Sequence, residues 1–516
     1  MRVWALLAIL AVLACSGPGP DPSTFRTYLG EEPQNLDPAF AVDKASGILV
    51  SLIYPGLFRF DVEGRPQPDL VESWELSIDG RRYTFHLQDD RRFEDGSAID
   101  AEAVRACFLR LLDPERASPR RWVLSDLLGA EAYSRGESRQ LPGIEAPDDS
   151  TLLITISEPF SPFPSLLAMP AARVYPLDEA GNPLRRGRLP VGGGPWRMRE
   201  WARGDRFLLE RAEAPPQSGF RFLSFRIIPQ PFTAVAEFEV GNLDLLTLPQ
   251  AEMEHWMRGP MAGRILRREE LSVSYLGLNV NHPPLDDLRV RQALNWAVDQ
   301  KAILKTLKGA SALASAGPVP PSLRSNPPGE LFGYDPERAK TLLAEVGLGD
   351  GFELEIWQKE NPEVSRLLEA VQAYLADVGV RVKIIVRDWG AFKDAVNSGH
   401  AEAFAMNWLA DYPDAENFLM PTFHSSNRGG GGNRSGFADE YVDLLLDQLR
   451  SLPEGPSRRR LVDNLNETLY HRAPWIWLWH PVTLQVLRPG IEGYEAPLIF
   501  NGQDFLELRH ADDPRP

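Results

Sequence analysis

Along this chain, stretches with apolar side chains at every second residue alternate with stretches where they recur every third or fourth. These are the signatures of half-buried strands and of amphipathic helices. Thr24 to Leu29 predicts a first strand; Asn35 to Phe40 turns, and Ser46 to Leu57 predicts a helix running to Tyr54-Pro55-Gly56-Leu57. Leu70 to Ser77 and Arg82 to Leu87 flank Asp79-Gly80, a pair suited to a hairpin turn. Phe93-Glu94-Asp95-Gly96-Ser97 turns again, and Asp100 caps a helix that carries Cys107. Thr151 to Ser157, Trp196 to Trp201 and Leu271 to Asn279 predict strands. Arg289 to Asp299 is a helix capped by Asp286 or Asp287, with Val290, Ala293, Leu294 and Ala297 on one face. A Pro-started helix runs from Asp335-Pro336 to Gly347. Strand Phe352 to Ile356, helix Glu363 to Asp377 and strand Val380 to Val386 follow, a spacing that predicts a parallel sheet with helical crossovers. Ala401 to Met406 reads as a strand end, Arg428 to Asn433 as a flexible loop and Arg458 to His471 as a helix. Trp475 to His480 reads as a strand with its tryptophans on one face, as core.

Composition narrows the class. At 516 residues and 43% hydrophobic the chain can bury a sizeable core, divided over more than one domain. A formal charge of −17 argues against nucleic acid, which requires a basic face; it is compatible with a cationic ligand and serves solubility. Met1-Arg2 followed by the apolar run Val3 to Ala14 predicts a secretory signal, too short to span a bilayer. Its end, Val12-Leu13-Ala14-Cys15, resembles a lipoprotein signal in which Cys15 is acylated; Val12 departs from that pattern, where Leu is commoner. Residues 1–14 are then a signal peptide and 15–23 a Gly- and Pro-rich tether. With Cys15 lipidated, Cys107 has no disulfide partner and is expected in the core.

The chemistry-bearing patterns are few. No His-Glu-x-x-His, Cys-x-x-Cys or Gly-x-Ser-x-Gly occurs, so no metal, cofactor or catalytic constellation is expected. Gly192-Gly193-Gly194 is followed by neither Lys-Ser/Thr nor a helix, which rules against a phosphate loop; close backbone approach explains the glycines better. One stretch stands out, Asn407-Trp408-Leu409-Ala410-Asp411-Tyr412-Pro413-Asp414. A Trp, a carboxylate and a Tyr within five positions suit a ligand wall: the indole packs on what enters, and a partly buried Asp needs a cationic or donor partner. Taken alone, the same residues also read as a core Trp and a turn Asp.

Several words occur in a telling order: Leu36-Asp37-Pro38, Tyr54-Pro55-Gly56-Leu57, Glu72-Ser73-Trp74, Asp79-Gly80, Tyr83-Thr84-Phe85-His86-Leu87, Phe93-Glu94-Asp95-Gly96 and Asp113-Pro114. Pro283-Pro284 and Arg289-Val290-Arg291-Gln292-Ala293-Leu294 follow later. Together they resemble the extracellular solute-binding proteins of family 5, the oligopeptide- and dipeptide-binding receptors of ABC importers, over nearly all of Thr24 to Phe505. The resemblance implies an α/β, two-lobed periplasmic-binding-protein-like fold (class II, cluster C). Lobe I would comprise 24–48, 175–270 and 483–516, with an extra α/β subdomain at 49–174, and lobe II 271–482. It implies a receptor rather than an enzyme, without cofactor, monomeric, and lipid-anchored at the periplasmic, extracytoplasmic face. Such a receptor captures a peptide or peptide-like solute by hinge closure and hands it to permease subunits. An oligosaccharide or metal chelate is the alternative ligand, and a hydrolase the alternative class.

The resemblance also implies a site. In the family's Trp-x-Ala-Asp-Tyr word the Asp pairs with the ligand's α-ammonium group; here that Asp is Asp411, beside Trp408 and Tyr412, with Trp389 as the other pocket Trp. Val42, Lys44, Gly193, Gly194, Ser274 and Tyr275 complete the implied ligand-binding set. Ala405 departs from relatives that carry an Arg three residues before the pocket Trp, where it can meet the peptide carboxylate. Weak dependence on a free C-terminus is therefore expected, unless another cation such as Lys44 or His400 has taken that role.

Overall fold

The computed structural model describes residues 21–511, so the expectations for the signal and for Cys15 lie outside the described residues. The first strand, Thr24–Leu29, pairs in parallel with Phe222–Ile227, which is followed across the sheet by the antiparallel strands Arg206–Arg211 and Trp196–Ala202. Register explains its core: Phe25, Leu223, Leu209 and Met198 stand side by side across the four strands, all buried. The helix after the first strand spans Lys44–Ile53, not Ser46 to Leu57. Asp43 caps it by accepting from the Ser46 amide at 2.7 Å, and Pro55 forces Tyr54 into extended backbone, which stops it.

A second four-stranded sheet, ordered Val71–Leu76, Arg82–Leu87, Thr151–Thr155, Ile144–Glu145, forms a separate unit with the helix Ala101–Leu112. Asp79-Gly80 makes its hairpin, with Gly80 at φ +70°, and Asp100 caps the helix. Cys107 is buried and free, its thiol pushed up to about 12, chiefly by burial.

The largest sheet has eight strands. Glu353–Lys359 runs parallel to Arg381–Arg387 and to Ala403–Leu409, as the strand–helix–strand spacing predicts. Ser272–Leu278 lies antiparallel between Ala403–Leu409 and the long strand Trp475–Leu487. One face packs Leu276, Ile356, Val290, Leu294 and Leu368; the other packs Tyr275, Phe404, Trp475, Phe418 and Leu446 beneath the helices Glu416–Phe423, Glu440–Ser451 and Pro456–Arg472. The second half of Trp475–Leu487 leaves this neighbourhood to pair with Leu245–Thr247 and Ile265–Glu269. That single strand therefore joins the two halves of the molecule.

Two expectations are corrected here. The tryptophans of that strand do not share a face. Trp475 and Trp477 pack with Tyr275, whose ring stacks on Trp475 at 3.4 Å, but an irregularity in the pairing between Ser274 and Tyr275 puts Trp479 in the opposite core. The Arg428–Asn433 loop is also held rather than free. Asn433 is fully buried, and its side-chain amide donates to the carbonyls of His424 and Phe437 at 3.1 and 2.8 Å. Among the described residues no helix is long and apolar enough to cross a membrane.

Candidate functional site

Three parallel strands end on one edge of the large sheet. Their carboxyl ends carry Lys359, then Arg387 to Trp389, then Trp408 to Asp411. In open α/β sheets ligands bind outside such ends, because the loops there converge on one crevice. Lys359 and Arg387 are register partners. The Lys359 ammonium sits 5.5 Å over the Trp389 ring, and the Arg387 guanidinium 5.3 Å over Trp357. Trp389 is 54% exposed, unusual for an indole without a task. It opens a helix, Trp389–Asn397, which the hydrophobic pattern did not mark; Asp388 caps it through the Ala391 amide.

Trp408 is half-buried, fixed by its indole N–H donating to the Asn417 carbonyl at 2.8 Å, while Ser272 Oγ donates to the Trp408 carbonyl. The Asn417 side chain also accepts from the Asp411 amide at 2.9 Å, so one residue holds both Trp408 and Asp411. The Asp411 carboxylate accepts no hydrogen bond among the described residues. It is exposed to water, yet its pKa is raised, first by desolvation from surrounding protein, with Arg120 acting against that. An exposed but poorly solvated carboxylate is what the wall of a recess produces.

Arg120 belongs to the second unit and was not singled out by any sequence signal. It donates to the carbonyls of Ala41 and Val42 at 3.3 and 2.9 Å, which brings Val42, 45% exposed, toward the Asp411 side. Lys44 is exposed at the start of its helix. His400 lies before the strand Ala403–Leu409, at the end opposite Trp408, so Lys359 is the better-placed cation at the carboxyl edge.

Other implied site residues sit elsewhere. Tyr412 is buried behind the wall, its hydroxyl donating to Glu416 and its ring edge-on to Phe160. Tyr275 is 1% exposed and stacked on Trp475, a core residue; its neighbour Ser274 is half-buried opposite Asn407. Gly193 and Gly194 are explained by packing. A Cβ on Gly194 would stand 2.7 Å from the Ile53 carbonyl, and one on Gly193 2.7 Å from Ile99. Among the described residues no group of three or more His, Cys, Asp or Glu is placed to hold a metal ion.

The chain matches the family described as bacterial extracellular solute-binding proteins, family 5 Middle, over residues 65–430. Heme-binding protein A of Haemophilus influenzae is 29% identical over 500 residues, covering 92% of this chain and 90% of that protein. The dipeptide-binding protein of Escherichia coli is 27% identical over 453 residues, covering 83% of each. Among solved structures, the periplasmic murein tripeptide-binding protein MppA in its unliganded open form superposes with a TM-score of 0.83 at 23% identity, covering 95% of this chain and 98% of that one. The fold is thus the two-lobed one, and the relatives are binding proteins rather than enzymes.

Proposed function

Because this chain belongs to the bacterial extracellular solute-binding proteins of family 5, we propose that it is the substrate-binding receptor of an ABC importer and that its ligand is a peptide or peptide-like solute held in the interlobe cleft. The observation that carries the ligand class is Asp411: a carboxylate that accepts no hydrogen bond among the described residues, poorly solvated, at the carboxyl edge of three parallel strands. A peptide N-terminus is the one charge all peptides share, so a receptor indifferent to side chains grips it there. Trp408 and Trp389 supply apolar walls, and Lys359 supplies the cation that Ala405 does not.

In this reading residues 24–48, 175–270 and 483–516 form lobe I with the subdomain 49–174, and 271–482 form lobe II. The chain crosses between them at Glu269 to Ser272 and again near His480 to Val482. Closure around ligand shifts the open–closed equilibrium by the contacts that only the closed state makes. The molecule acts as a monomer, lipid-anchored through Cys15 on the periplasmic side. The test is calorimetric: a free di- or tripeptide binds, and its N-acetylated form binds more than about tenfold weaker, because the ammonium partner of Asp411 is gone. Equal binding of the two overturns the peptide assignment.

A second reading has one observation in its favour. Leu409, Val386 and Trp389, at or near the carboxyl ends of the strands, and Val42 leave apolar side chains exposed, by 64%, 43%, 54% and 45%. That would suit a flat apolar solute such as a metal chelate. Titration with heme distinguishes it, since binding shifts the heme absorption band and competes with peptide.

A further inference from the structure

Behind Asp411 lies a buried acid that ligand contact does not explain. Glu416, 3% exposed, accepts from the Tyr412 hydroxyl, and its other carboxyl oxygen faces the Nε of Arg450 at 3.8 Å. The same guanidinium faces Asp126 at 3.7 Å, and Asp126 belongs to the four-stranded unit that contains Arg82–Leu87 rather than to the large sheet. Arg450 also lies 5.0 Å over the Phe160 ring, and its carbonyl accepts from the Ser161 amide at 2.7 Å. Tyr412 touches Phe160 edge-on. One side chain thus bridges the segment carrying Asp411 and the subdomain, shared by two carboxylates at nearly the same distance, 3.8 and 3.7 Å.

We propose that Arg450 is a proton-controlled latch between lobe II and the subdomain, held by Asp126 when Glu416 is neutral and drawn back to Glu416 when Glu416 is ionised. The charges around it fix the direction. Asp414 is committed to Arg458 at 2.7 Å and crowds Glu416; Glu158 crowds Asp126. Burial pushes Glu416 up to about 7; the Tyr412 hydrogen bond and the guanidinium groups of Arg450 and Arg458 oppose the rise and Asp414 adds to it, so the switch falls near neutral pH. An ionised Glu416 attracts Arg450 more strongly than Asp126 does, because its surroundings are drier. Asp126, 32% exposed, is then left to water. The Phe160 and Ser161 contacts do not depend on the proton.

The swing that the latch restrains belongs to the hinge-closure reading above, so the test uses no ligand. Spin labels at Glu239→Cys and Glu369→Cys, both exposed and on opposite lobes, report lobe separation in a Cys15→Ser background where Cys107 is buried. Between about pH 6 and pH 8, across the Glu416 titration, the distance distribution should shift by roughly two- to fivefold in population, the strength of a half-exposed ion pair. Glu416→Gln should keep the low-pH distribution at high pH, and Asp126→Asn should show the high-pH distribution at low pH. A distribution indifferent to pH, or one whose response survives both substitutions, overturns the latch. Neither outcome touches the peptide assignment, which acetylated and free peptides decide separately.

Discussion

A carboxylate that water still reaches costs little to leave unpaired; the same group costs much more once a closing lobe excludes the water. Asp411 is in the first condition here. Asp411→Asn should therefore leave the melting temperature of the ligand-free protein nearly unchanged. It should weaken peptide binding by more than about tenfold, since losing one partner of a desolvated charge pair costs roughly 2–5 kcal/mol. Calorimetric titration alongside a thermal melt checks both halves. Tyr412, adjacent in sequence, should behave in the opposite way. Its hydroxyl satisfies Glu416 in the core, so Tyr412→Phe should cost about 1–3 kcal/mol of stability and change peptide affinity much less. The sequence put both residues in one ligand-binding word; only their neighbours separate wall from support.

At the scale of elements, two buried groups give opposing pH dependences. Glu416, at the start of the helix Glu416–Phe423, has a folded pKa raised to about 7 from 4.5. For an acid with a raised folded pKa, stability is greatest below the unfolded value and declines as pH rises from about 4.5 to about 7. His480, in the strand Trp475–Leu487 that links the two halves, is pulled down to about 4, first by burial, with its Nδ1 held at 2.9 Å from the Ser272 carbonyl. For a base with a depressed folded pKa the sign reverses: stability is present above about 6.5 and is lost as pH falls to about 4. Each amounts to about 3 kcal/mol at full extent, so in the unmodified protein they partly cancel near pH 5 to 6. Melting temperatures across that range should rise with pH in Glu416→Gln, where only the histidine remains. They should fall with pH in His480→Asn, where only the acid remains. Parallel profiles in the two variants would mean that one of these groups titrates normally.

For the whole molecule, the effect most directly read is that of a ligand on stability. At a hundredfold excess over its Kd a ligand stabilises by about 2.7 kcal/mol, and a scan of peptides by thermal shift should pick out the preferred class through that increment. Lys359→Ala should reduce the preference for a free peptide C-terminus over its amide, while Lys44→Ala should not; the reverse would return the carboxylate role to the lobe I residue. Anchoring is tested at the same scale: Cys15→Ser should release the protein from membranes.

The sequence alone determined most of the elements and pointed to the family: period-two and period-three patterns, the Asp100 cap, a cap at Asp286 or Asp287 that the structure places at Asp287, the Asp79-Gly80 hairpin and the parallel strand–helix–strand unit all follow from local stereochemistry. Local rules also set where their reach ends. The helix at Lys44 starts two residues early because a cap at Asp43 outweighs the hydrophobic pattern, and Trp479 changes face because a pairing irregularity is invisible to a count of alternation. What only the tertiary structure decided is which polar groups meet. Arg120, Lys359 and Asp126 carry no motif and lie far apart along the chain. They matter because chain crossings bring strand ends and a separate sheet unit together at one edge. Burial, which sets the charge of Glu416 and His480, is a property of those same long-range contacts, and no window of sequence contains it.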